Sequence, residues 1–177
     1  MKFDLVLKKI SEFLEKRGSQ YAVIGGIGMA IYGIPRTTLD LDIVVPRDIQ
    51  KELVSFLENQ GYETLYVSEG YSNHLHDDLK KGRVDVVYVS GQTSRKLFGE
   101  SRTVEGPGGL KVRILRPEHF IALKVFAIRN NPSRTLQDMA DIGFLMGLPG
   151  IDRVQVKGYF KRYGVEELYE QLEKYLE

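Results

Sequence analysis

The chain is 177 residues long, 42% hydrophobic and 28% charged, which suits one folded domain, or a domain with a small appendage, and excludes an intrinsically disordered chain. Its formal net charge of +1 offers no global basic field for DNA or RNA, so a nucleic-acid partner would need a local patch. There is no cysteine, which excludes disulfides and cysteine-ligated zinc and fits a reducing cytoplasm.

The N-terminal stretch MKFDLVLKKISEFLEKRG is charged throughout and lacks the apolar centre of a signal peptide. Instead, Phe3, Leu5, Val6, Ile10, Phe13 and Leu14 have helical spacing over 3–17, with Gly18 as the stop. Residues 20–24 read as a short strand ending at Gly25-Gly26, and 27–33 as about two helical turns ended by Gly33 and Pro35. LDLDIVV reads as a strand in which Leu39, Leu41 and Ile43 face a core. Asp48 is placed to cap a helix over 49–60, followed by a strand near 62–67. HLHDD and RVDVVYV flank Lys80-Lys81-Gly82 as paired strands, and residues 101–115 suggest a hairpin turning at 106–109. No apolar run approaches the roughly 20 residues that span a bilayer, so no membrane association is expected.

The pattern changes at Pro117, which suits a first helical position. Ser133 is placed to cap a helix running to Gly147, and two more helices, near 151–162 and 165–176, complete the chain. The expected fold class is α/β (α+β): a mixed sheet flanked by helices over 1–115, then a helical region over 116–177 packed on it.

The informative feature is a pair of acids inside an apolar strand. Asp40 and Asp42 alternate onto one face, about 7 Å apart along the chain. RVDVVYV puts Asp85 in a second apolar strand, and if the two strands are neighbours, three carboxylates share a site. Such a cluster needs protonation or cations, and oxygen-only donors favour Mg²⁺ or Mn²⁺. A solvent-facing edge strand would explain the acid pair equally well. Upstream, Gly25-Gly26 at a strand-to-helix turn leaves backbone N–H groups where a phosphate can sit. Arg36 and Thr38 lie between the glycines and the acids and could touch the same phosphates. His74 and His76, with Asp77 nearby, form a weaker transition-metal candidate.

GG, thirteen residues, DLD, and a third acid in VDVV together resemble the DNA polymerase β-like nucleotidyltransferase superfamily, especially the minimal nucleotidyltransferases and the AbiEii/AbiGii toxin family. Gly-Gly stands where that pattern commonly has Gly-Ser. Lys124 with Arg134, Asp138 and Asp141 resembles the Lys and R-x3-D-x2-D pattern of those toxins. The resemblance implies a nucleotidyltransferase-like fold and a Mg²⁺- or Mn²⁺-dependent transfer of NMP from an NTP to an acceptor hydroxyl on an RNA end, a protein or a small molecule. It implies that Asp40 and Asp42 hold both ions, that Asp85 holds the catalytic one and helps activate the acceptor, and that Gly25 and Gly26 hold the triphosphate. From the residues themselves, Lys124 is a candidate for a nucleotide phosphate or a surface lysine on an apolar helix. Asp138 and Asp141 share a helix face and could order Arg134 or Lys124. An inactive nucleotide-binding regulator, or a toxin–antitoxin partner of the same fold, is the alternative function. A cytoplasmic homodimer is the default expectation for the assembly.

Overall fold

The computed structural model describes residues 1–34 and 37–176. The chain divides into two compact units, Met1–Leu115 and Arg116–Glu177.

In the first unit, α1 (Phe3–Lys16) buries Val6, Leu7, Ile10, Phe13 and Leu14 and leaves Leu5 exposed, the single apolar stripe of an amphipathic helix. Next come β1 (Ala22–Val23), α2 (Gly25–Ile31) and β2 (Asp40–Pro46), then α3 (Gln50–Asn59), β3 (Glu63–Val67), β4 (Tyr71–Leu75) and β5 (Arg83–Val89). α4 (Gly91–Gly99) falls in a stretch to which the sequence pattern assigns no element: it is mostly polar and buries only Leu97 and Phe98. β6 (Arg102–Glu105) and β7 (Lys111–Ile114) form the expected hairpin.

The seven strands make one sheet in the order β3-β4-β5-β2-β1-β7-β6. β2 pairs with β5, and β1 with β7, in parallel; the other neighbours are antiparallel. The β2–β5 register sets Leu41 beside Val84 and Ile43 beside Val86, all four without solvent exposure. Period-2 alternation sends Asp40, Asp42, Arg83 and Asp85 to the other face. α1 and α3 meet at Phe13 and Phe56, whose rings stack with centroids 4.1 Å apart.

Three local expectations change. Leu39 is 75% exposed, because β2 starts at Asp40 and Leu39 lies in the bend before it, so only Leu41 and Ile43 anchor the strand. Asp48 does not cap α3; it lies within a 3₁₀ turn, Arg47–Ile49, and the position before the helix is Ile49, which has no capping side chain. In the second unit, Asn131 takes the role expected of Ser133. Its Oδ1 accepts from the Ser133 N–H and hydroxyl and opens the 3₁₀ turn Pro132–Arg134 that leads into the next helix.

The second unit is helical: α5 (Pro117–Asn130), α6 (Thr135–Met146), α7 (Arg153–Tyr163) and α8 (Glu166–Leu176). α5 packs on both α6 and α7 and buries residues on nearly every side, including Phe120, Ile121, Lys124, Val125 and Ile128. Its pattern is that of a central helix rather than a surface one. α7 and α8 join through Phe160 and Tyr169, edge to face at 5.4 Å. Among the described residues, no helix is long and apolar enough to cross a membrane.

The different placement of Leu39 and Ile43 is measurable. Ile43→Ala is expected to lower unfolding free energy by about 2–5 kcal/mol, the range for emptying a core site. Leu39→Ala is expected to stay within about 0.5 kcal/mol of wild type. Urea denaturation of both variants checks the pair.

Candidate active site

Gly25 and Gly26 open α2. Ile24 precedes them in an extended conformation without a capping side chain, and the first helical bond runs from the Gly28 N–H to the Ile24 carbonyl. The first-turn amides thus lie ahead of the helix's own bonding pattern. Gly25 has φ +59°, a left-handed conformation, and a Cβ there would fall 2.0 Å from Asp42 Oδ2. A Cβ on Gly26 would fall 2.6 Å from the Thr38 Cβ. The glycine pair is therefore required by close approach: the Asp42 carboxylate lies directly against Gly25, and Thr38 against Gly26. Thr38 also bonds through Oγ1 to the Asp40 carbonyl at 3.1 Å, which fixes the entry into β2. Pro35 and Arg36 lie outside the described residues.

Asp42 stands directly beside Asp85 across the parallel β2–β5 ladder, and Asp40 beside Arg83. Arg83 Nε donates to Asp85 Oδ1 at 2.8 Å, and Asn73 Nδ2, from the register position opposite Asp85 on β4, donates to the same oxygen at 2.7 Å. Asn73 Nδ2 also donates to the Tyr71 hydroxyl at 2.5 Å. The Asp40 carboxyl is pushed above its ordinary value, first by burial and then by the negative charge of Asp85, with Arg83 pulling the other way. The Tyr71 hydroxyl is raised by burial and by Asp85. Asn73 and Arg83 were not singled out from the sequence. The available signal was the antiparallel register that the turn at Lys80-Lys81-Gly82 imposes, which sets YSNHL against RVDVV.

The donor set is oxygen-only and carries excess negative charge, which suits a hard divalent ion. As they stand, no group of three or more His, Asp or Glu side chains among the described residues is gathered closely enough to hold a metal. The oxygen-only chemistry of the acids fits a hard divalent ion such as Mg²⁺.

The histidines do not form a second metal site. His74 is fully buried, with Nε2 2.8 Å from Ser72 Oγ and Nδ1 3.1 Å from Thr64 Oγ1. His76 lies past the end of β4, where Nδ1 accepts from the Asp78 N–H. Each histidine ring is thus held by separate partners.

Lys124, Arg134, Asp138 and Asp141 come together within the second unit. Lys124 Nζ donates to Asp138 Oδ1 at 2.9 Å and Asp141 Oδ2 at 2.7 Å, and Arg134 Nε to Asp138 Oδ2 at 3.0 Å. Lys124 does not reach solvent as a surface lysine would; its side chain is 9% exposed. Lys124 lies off the partly exposed side of α5 that carries Phe126 and Asn130, so α6 supplies the two acids.

With the glycine turn and the acid face described, comparison with known proteins identifies the fold. The family model for aminoglycoside-2″-adenylyltransferase matches residues 6–91. Two structures of the antibiotic-resistance factor ANT(2″)-Ia superpose on the chain at 16% identity. A solution structure does so with a TM-score of 0.68, covering 97% of this chain and 99% of that one. A crystal structure in complex with adenylyl-2″-tobramycin does so at 0.66, covering 90% and 97%. This chain has a nucleotidyltransferase-like fold. The lincosamide antibiotic adenylyltransferase LnuA, lincomycin-bound, shares the nucleotidyltransferase fold at 17% identity and a TM-score of 0.52, covering 80% and 95%. No curated protein sequence matches the chain.

Lys124→Ala is expected to destabilise the protein by about 3–5 kcal/mol in urea, because it removes the ammonium from which both buried acids accept. Asp40 gives a pH signature. An acid with a raised folded-state pKa stabilises the fold while protonated, and that contribution is lost as pH rises through the raised value. Asp40→Asn is expected to melt above wild type at neutral pH in metal-free buffer, with the difference closing below 3.8, the ordinary Asp value. Thermal melts across pH check it.

Proposed function

We propose that this chain transfers an NMP from an NTP to an acceptor hydroxyl. The observation that carries the reading is the pairing of Asp42 with Asp85 on adjacent parallel strands, with the Asp42 carboxylate seated on Gly25 at the start of α2. One supersecondary unit thereby joins a phosphate-sized backbone cradle to an acid face.

In this reading Asp40, Asp42 and Asp85 would hold Mg²⁺, which would supply positive charge to offset that of the transferring phosphoryl group. The amides of Gly25 and Gly26 orient the triphosphate, and Thr38 keeps the β2 entry against them. Asp85 accepts the proton of the acceptor hydroxyl. The acceptor oxygen forms a bond to the α-phosphorus, the bond from that phosphorus to the bridging oxygen breaks, and pyrophosphate leaves. The similarity to ANT(2″)-Ia and LnuA supports AMP as the transferred group and a small hydroxyl compound as the acceptor; a tRNA end is the second acceptor class. The buried Lys124 cluster ties α5 to α6.

The test is incubation with each labelled NTP, Mg²⁺, and a panel of aminoglycosides, lincosamides and tRNA. Labelled acceptor and released pyrophosphate are expected from wild type. Asp42→Ala is expected to lower the rate at least about a hundredfold, the equivalent of losing a few kcal/mol of metal-assisted stabilisation. NTP binding by calorimetry without any product would point instead to a nucleotide-binding regulator.

A further inference from the structure

The Asp85 carboxylate is held by a neighbour that the proposed chemistry does not use. Asn73 sits opposite it on β4 and is 7% exposed. One Asn73 N–H contact goes to Asp85 Oδ1 and the other to the Tyr71 hydroxyl, so the amide's donor side is fixed at both ends. The terminal torsion of an aspartate is broad and roughly two-fold, so a carboxylate without such partners samples many orientations. Here both donors meet a single oxygen. Asn73 draws Oδ1 toward β4, while β2 lies on the opposite side of β5. The second oxygen, Oδ2, is then the one presented to the strand that carries Asp40 and Asp42.

Arg83 shares the task but is suited to a different part of it. Its side chain is 39% exposed and long, so it supplies positive charge more than a fixed position. Asn73 is short, buried and neutral. An acid at this position would add a like charge, and a hydrocarbon would remove the donor that sets the carboxylate's torsion.

We infer that Asn73 is a positioning residue that turns Asp85 toward the β2 aspartates and so completes the divalent-cation site. This rests on the nucleotidyltransferase reading. Outer contacts of this kind around metal ligands typically carry about ten- to a hundredfold of metal affinity or activity.

The test is titration of the full chain with Mn²⁺, followed by electron paramagnetic resonance, alongside steady-state transfer kinetics. Asn73→Leu has similar volume and no donor; Asn73→Ser keeps a hydroxyl too short to span the gap to Asp85. Both are expected to bind Mn²⁺ about tenfold more weakly than wild type. They are also expected to lose kcat by a similar factor while KM for the NTP stays close to wild type, since the triphosphate cradle is untouched. If Asn73→Leu does not fold, Asn73→Ser decides. A folded variant with wild-type Mn²⁺ affinity overturns the inference, whatever its activity. A wild-type chain that transfers NMP beside such a variant leaves the nucleotidyltransferase reading standing. A wild-type chain that neither binds Mn²⁺ nor transfers NMP removes both.

Discussion

Adjacent strands lie about 4.8 Å apart, and two unit negative charges at that separation repel by roughly 3.5 kcal/mol at an effective dielectric near 20. Asp42 and Asp85 occupy such neighbouring positions because their strands run parallel and in register. The first unit is arranged around that conflict. Behind the acids, Leu41, Ile43, Val84 and Val86 are fully buried, so neither strand can slip by one residue without moving its whole apolar set into water. In front, Arg83 and Asn73 donate to Asp85, and Asp40 holds its proton more tightly, first through burial and then through the charge of Asp85.

The turn before β2 is tied to this arrangement by steric contact rather than by charge. Gly25 needs both its left-handed backbone and its bare Cα, since Asp42 Oδ2 occupies the space a side chain would take. The helix start and the acid strand therefore cannot be varied independently. The backbone proposed to present amides to an anion and the carboxylate proposed to hold a cation are built as one contact. That coupling links local conformation to the proposed function.

Much of this was legible from residue spacing. Period-2 alternation in LDLDIVV and RVDVVYV located the acid face, and the Gly-Gly punctuation located the turn. The contributions of β4 were not legible. Ser72, Asn73 and His74 are polar yet buried, and the partners that satisfy them, Tyr88, Asp85 and Thr64, are remote in sequence. Leu39 was misread for the opposite reason. Its apolar side chain continues the alternation by one residue, but the strand begins after it, and a side chain in the bend is not obliged to follow the pleat. Lys124 shows a third failure. Whether a lysine snorkels or is buried depends on whether its helix is central, which is decided by how many helices pack around it.

The cluster in the second unit has a consequence for how this sequence can change over time. Lys124 faces both Asp138 and Asp141, all three buried, while Arg134 reaches Asp138 from a half-exposed position. Loss of Lys124 removes the charge both acids share in a place with little water, and loss of either acid weakens the compensation of the buried ammonium. Neutral drift through single replacements is therefore blocked at these positions. Exchange for an apolar packing is open only to concerted changes, so Lys124, Asp138 and Asp141 are expected to be inherited, or lost, together.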